Sequence, residues 1–120
     1  MTTLEIGTKL VALVRAGKNP EAIETLYDPS IVSVEAGAPP GQSREATGIP
    51  ACLAKGKAFR ERFEVHGVTV DGPFPHDDRF AILLKYDLTP KTGPRIQMTE
   101  VAMYTVKNDK IVREEFFYAM

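Results

Sequence analysis

The chain has 120 residues and a mass of 13.2 kDa, with 43% apolar and 26% charged residues. This suits one compact domain with a single core and excludes disordered and collagen-like chains. Fifteen Lys and Arg against sixteen Asp and Glu leave a net charge of -1, so no long-range field draws in nucleic acid or an anionic membrane.

A single cysteine, Cys52, excludes an internal disulfide and a cysteine-based zinc cluster and fits a reducing compartment. The apolar run at residues 10–14 is too short for a membrane span or a signal peptide. The expectation is a cytoplasmic protein whose residues 1–120 form one domain.

In chain order, Leu4, Leu10, Val11, Leu13 and Val14 form a helical stripe over residues 3–16, and Gly17 is a natural stop. Asn19 is a good N-cap for a second helix, with Pro20 and Glu21 in its first turn and Ala22, Ile23 and Leu26 on its apolar side. Asp28-Pro29 ends that helix, and the alternation over residues 31–35 predicts a short strand. An irregular stretch with Ala-Pro-Pro-Gly covers residues 37–48. A third helix is expected over residues 49–63, with Cys52, Gly56, Phe59 and Phe63 on one face and Lys55, Arg60, Arg62 and Glu64 outside.

After Phe63 the period changes from helical to alternating. Strands are predicted over residues 65–70, 79–89, 95–106 and 110–118, with a second irregular stretch, DGPFPHDD, over residues 71–78 and a tight turn through Asn108-Asp109. In the strand over 79–89, Phe80, Ile82, Leu84, Tyr86 and Leu88 occupy one face while Ala81 and Leu83 begin the other. Such a sheet needs covering twice, by the helices on one side and by a second copy of the chain on the other.

The segment NPEAIETLYDPSIVSVE, the helix opening GIPACLAKGKAF and the closing hairpin EVAMYTVKNDKIVREEFFY, in this order of elements, resemble the nuclear transport factor 2-like superfamily. Within it they resemble the SnoaL-like small-molecule domains, over residues 3–118. The resemblance implies an α+β fold in which a cone-shaped, curved antiparallel sheet wraps around three N-terminal helices, a cystatin-like α+β barrel with a pocket at the open end, usually in a homodimer. Members include ketosteroid isomerase, polyketide cyclases, scytalone dehydratase, limonene epoxide hydrolase and binding modules without chemistry, so the fold leaves the activity open.

Glu35 resembles the position at which ketosteroid isomerases and cyclases carry a carboxylate base, with Glu in place of the isomerase Asp. A carboxylate at the mouth of an apolar cavity has its pKa raised by desolvation, which suits proton abstraction beside a carbonyl; the alternative is a solvated glutamate at a strand end. The isomerase oxyanion donors fall at Leu10 and Ala102, neither of which donates a side-chain hydrogen bond, so ketosteroid isomerisation is disfavoured.

Glu100 and Tyr104 share a strand face with Ile96, Met98, Ala102 and Val106. There Glu100 is either a second buried carboxylate or half of a scaffold ion pair with Lys57, Lys85 or Arg113. His66 shares a row with Val68 and Val70, as a hydrogen-bonded core residue or as an acid or base near neutral pH. In the last strand the resemblance favours Glu114, Phe116 and Tyr118 as pocket-lining, although a one-residue slip would invert the faces. Tyr86 and Asp87 point to opposite faces, so at most one lines the pocket.

His76, Asp77 and Asp78 are too compactly arranged for a metal site. The chain has no phosphate-binding glycine loop, nucleophile elbow or HExxH. Cys52 reads as core, and Lys55, Lys57, Arg60 and Arg62, interleaved with Glu61 and Glu64, as a solvated helix face.

The resulting expectation is a homodimer, paired through the outer sheet face, that binds a small, mostly apolar organic molecule. As an enzyme it would use Glu35 as general base, His66 or Tyr104 in support and Glu100 as acid or orienter. Lys57, Asp87, Glu114, Phe116 and Tyr118 would contact the ligand. Isomerisation, cyclisation, dehydration or hydration would proceed without a metal or other cofactor. The competing expectation is a non-catalytic ligand-binding or dimerisation module in which Glu100, Lys57 and His66 form a structural polar network.

Overall fold

In the computed structural model, which describes residues 1–119, the first helix, α1 (Thr3–Arg15), starts from a capping box. The Thr2 hydroxyl accepts the Glu5 N–H at 3.1 Å and the Glu5 carboxylate accepts the Thr2 N–H at 3.2 Å. Its buried side carries Ile6, Leu10, Val11 and Val14, and Gly17, at φ +72°, ends the segment as expected.

The second helix, α2 (Asn19–Leu26), includes Asn19 as a helical residue. Lys18 takes the N-cap position without a side-chain bond, so the expected asparagine cap does not form. The first strand, β1 (Tyr27–Val34), follows at once, and a bulge between Tyr27 and Val32 accommodates Asp28-Pro29 inside the strand. Within the stretch expected to be irregular, β2 (Glu45–Thr47) pairs with β1.

After α3 (Ile49–Arg62) come β3 (Phe63–His76), β4 (Arg79–Pro90), β5 (Ile96–Lys107) and β6 (Lys110–Phe117). Strand β3 runs through most of the DGPFPHDD segment. It is the last strand in the sheet order, where proline is tolerated, and a bulge between Asp71 and Phe74 absorbs Gly72-Pro73. Asn108 and Asp109, at φ 51° and 64°, form the predicted turn between β5 and β6.

The six strands form one curved sheet in the order β2-β1-β6-β5-β4-β3. Every neighbouring pair is antiparallel except β1 and β6, which run parallel. The helices pack on the inner face, where Ile6, Leu10, Ile31, Phe80, Ile82 and Ile111 are fully buried. Gly7 sets the approach of α1 to the sheet: a Cβ there would lie 2.8 Å from the Pro73 Cβ and 3.2 Å from the Phe80 ring. On the outer face Leu83, Val101 and Phe117 line up across β4, β5 and β6, with Phe117 53% exposed. No helix is long and apolar enough to cross a membrane.

Candidate functional site

Strand register assembles the site. In one row across the inner face Phe80, Tyr104, Glu114 and Ser33 are successive partners on β4, β5, β6 and β1. Two residues further along, Ile82 faces Ala102 and Ala102 faces Phe116; beyond them Leu84 faces Glu100, and Tyr118 follows directly after β6. The inward alternation of these strands therefore places two glutamates in an otherwise apolar and aromatic surface.

Glu114 is the deeper of the two, 5% exposed. The Tyr27 hydroxyl donates to its Oε1 at 2.5 Å, and the Cys52 thiol donates to Oε2 across 3.8 Å. Burial raises the Glu114 pKa and the Tyr27 bond opposes that rise. Burial and the neighbouring Glu114 push the Cys52 thiol up to about 11, which leaves it an inert core group.

A second group lies beside it. Lys55, projecting from α3 between Cys52 and Phe59, donates to the Ser33 Oγ at 2.6 Å and pairs with the Glu35 carboxylate at 2.7 Å. Its Nζ also lies 5.3 Å from the centre of the Phe116 ring. The Tyr118 hydroxyl donates to the other Glu35 oxygen at 2.8 Å, and desolvation, followed by this contact, pushes that phenol up to about 12.

Glu100 is different. It is 8% exposed, and no donor among the described residues reaches its carboxyl. Among the described residues no fully buried side-chain nitrogen or oxygen lacks a partner. The Glu100 oxygens therefore keep some contact with solvent. Burial first, then the charges of Glu35 and Glu114, push its pKa up to about 7, with Lys55 pulling the other way. Tyr86, across and diagonal from it on β4, also has a hydroxyl without a partner among the described residues. Its ring lies 5.5 Å from that of Phe59.

The inner face thus brings together Glu35, Glu100, Tyr104, Glu114, Phe116 and Tyr118. Three other candidates lie elsewhere. His66 is exposed and bonded to the Thr89 hydroxyl at 2.6 Å; a bulge between Val65 and Gly67 takes it out of the row of Val68 and Val70. Lys57 is a solvated side chain, 76% exposed and 4.0 Å from Glu61, because two helical steps carry it roughly 200° around from Lys55. Asp87 lies on the face opposite Tyr86, clamped by Arg95 at 2.8 and 2.6 Å.

The expected scaffold pair of Glu100 with Arg113 does not form, since Arg113 bonds Glu115 at 2.8 Å. Sequence reasoning missed Tyr27 and Ser33, and placed Lys55 on the wrong side of its helix. The signal for Lys55 was present: it lies three residues after Cys52 and four before Phe59, both on the apolar face. Among the described residues no group of His, Cys, Asp and Glu is arranged to hold a metal ion. The shallow clefts where α3 runs into β3, lined by Arg60, Phe63, Pro90 and Lys91, contain none of these carboxylates.

Three helices packed on a six-stranded curved sheet, with acids, phenols and one lysine on the inner face, define the nuclear transport factor 2-like, or cystatin-like, class of α+β fold. The chain belongs to the SnoaL-like domain family, whose pattern matches residues 1–118. A candidate SnoaL-like polyketide cyclase from Mesorhizobium loti is 41% identical, over 98% of this chain and 100% of its own, with a TM-score of 0.91. An NTF2-like protein from Burkholderia thailandensis shares the fold at 17% identity, over 99% of this chain and 92% of its own, with a TM-score of 0.83. A protein with a ketosteroid isomerase-like fold from Catenulispora acidiphila, solved with trimethylamine, does so at 24% identity, covering 99% and 88%, with a TM-score of 0.76. No curated protein matches the chain.

Proposed function

We propose that the protein binds a small organic molecule on the inner face of its sheet and moves a proton on it, with Glu100 exchanging that proton. The observation that carries this reading is a nearly buried carboxyl without a protein partner among the described residues, whose pKa burial pushes up to about 7. A group that titrates near the working pH is present in both the accepting and the donating form. For a carbonyl compound, the carboxylate takes a proton from the carbon beside the carbonyl and returns it to another atom of the same molecule. The Tyr86 hydroxyl donates to the oxygen on which charge develops.

Glu35, held by Lys55 and Tyr118, positions those two groups rather than serving as the base. The step needs no metal or redox cofactor. The Mesorhizobium relative, described as a candidate polyketide cyclase, supports proton-transfer chemistry of this kind. Because Glu35, Lys55 and Tyr118 already satisfy one another, a purely binding role is the second reading.

One experiment separates them: hydrogen–deuterium exchange at the carbon beside the carbonyl, followed by proton NMR, for a panel of cyclic ketones with wild type and Glu100→Gln. Catalysis predicts accelerated exchange that falls about 100-fold or more in the variant. Equal rates in both proteins would remove Glu100 as the base. We also infer self-association through the outer face, where the exposed Val101 and Phe117 and the half-buried Leu83 form an apolar row. Sedimentation of wild type against Phe117→Lys tests it, with a dimer expected only for the wild type.

A further inference from the structure

Two polar groups on the inner face are left without protein partners among the described residues, the Glu100 carboxyl and the Tyr86 hydroxyl. They stand on neighbouring strands, one register step apart on the same face. Glu114, Lys55, Glu35 and Tyr118 near them are engaged. Glu114 holds Tyr27, while Lys55 is committed to Ser33 and Glu35, and Tyr118 to Glu35.

The charges around Glu100 are unbalanced. Its charge is felt by Glu35 just beyond β1, Glu114 on β6 and Lys55 on α3, and the phenols that face it are Tyr86 on β4 and Tyr118 beyond β6, with Tyr104 on its own strand. Three carboxyls thus share one ammonium group, and that ammonium makes its contacts with Glu35 and Ser33. An anionic ligand would add further negative charge in a poorly solvated place. A neutral ligand would leave the repulsion as it stands.

We infer that the inner face selects a ligand bearing a protonated amine, seated with its ammonium group between the Glu100 carboxylate and the Tyr86 hydroxyl. The ammonium has donors for both oxygens, and the Tyr86 ring, backed by Phe59, offers an aromatic face to the cation and its first methylene groups. The remainder of the ligand lies over Phe116 and Met98, half-buried inner-face residues diagonal to Glu100 and opposite Tyr86 respectively. The inference rests on the preceding reading only in taking the inner face as the binding surface; an ammonium seated there occupies the two groups that would act on a ketone, so the two kinds of ligand exclude one another.

The test uses three ligands of matched shape, cyclohexylmethylamine, cyclohexylmethanol and cyclohexanecarboxylate, titrated into the full chain by two-dimensional NMR and calorimetry at pH 6 and pH 8. The amine is expected to bind best. With a carboxyl that titrates near 7, the ionised fraction rises about tenfold across this interval while the amine stays charged, so its affinity should rise about tenfold. Glu100→Gln, with its fold verified from the same spectra, should abolish both the affinity and its pH dependence. Tyr86→Phe should weaken binding several-fold and keep the pH dependence. Alcohol or carboxylate binding as tightly as the amine, or amine binding indifferent to pH and to Glu100→Gln, would overturn the inference. Ketone exchange without amine preference would refute this inference alone; amine binding without ketone exchange would refute only the proton-transfer reading.

Discussion

Replacing Glu100 by Gln keeps the shape of the side chain and deletes one buried titration. In the native state this carboxyl ionises near pH 7, against 4.5 for the unperturbed group. Between those limits the folded chain holds a proton that the unfolded chain has released, so unfolding releases it and stability falls as pH rises. Below about pH 4.5 both states are protonated and the group contributes nothing.

Above pH 7 the full cost is present, on the order of 3 kcal/mol at 1.36 kcal/mol per pKa unit. The variant carries no such cost, so its stability relative to wild type should grow by about 3 kcal/mol between pH 4.5 and 8. Urea denaturation of both proteins at closely spaced pH values measures the difference. At a urea slope of about 1–3 kcal/mol per molar the midpoints should separate by about 1 M or more over this range. Titrations elsewhere, that of Glu114 included, largely cancel between the two proteins. A midpoint difference that stays constant from pH 4.5 to 8 would refute the argument, because it would mean that Glu100 titrates alike in the folded and unfolded chain.

Tyr27→Phe removes the hydrogen bond to Glu114 and should cost about 1–3 kcal/mol of stability by urea denaturation. Because that bond favours the ionised form, the Glu114 pKa should rise further, as carbon-13 NMR of the carboxyl would show. Lys55→Met takes away the cation that lowers the Glu100 pKa, so in the same spectra the Glu100 titration should move above its wild-type midpoint. Gly7→Ala sets a methyl group 2.8 Å from the Pro73 Cβ. It should lower the thermal midpoint by an amount equivalent to about 1–3 kcal/mol, with little effect on the carboxyl titrations.

Much of this arrangement was legible in the sequence because it depends on local periodicity. The alternation of Phe80, Ile82 and Leu84 sets the inward face of β4, and the same period on β5 identifies Glu100 as a carboxyl in an apolar row. The turn at Asn108-Asp109 fixes the register of β6, which carries Glu114 inward. The misreadings of β3 occur where a bulge breaks that period, whereas those of Lys55 and Lys57 concern which face of α3 turns inward. His66 follows the alternation only if β3 is regular, and the extra residue between Val65 and Gly67 removes it. Proline and glycine at residues 72–75 resemble a break in the chain, yet an edge strand has no outer neighbour to demand the missing N–H. Tyr27 and Ser33 could not be read as site residues, since their roles depend on β1 lying beside a strand some eighty residues later.

That parallel pairing of β1 with β6 also governs how the chain can be made. The first strand leaves the ribosome some eighty residues ahead of its main partner, and Ser33 meets Glu114 only when the β5–β6 hairpin has emerged. Until then α1, α2 and β1 hold an apolar surface with no sheet to cover it, a state open to chaperone capture. Chains cut short before β6 would lose β1 from the sheet together with Glu114 and Tyr118. The pairing thus makes synthesis through β6 a condition for both the fold and its acidic inner face.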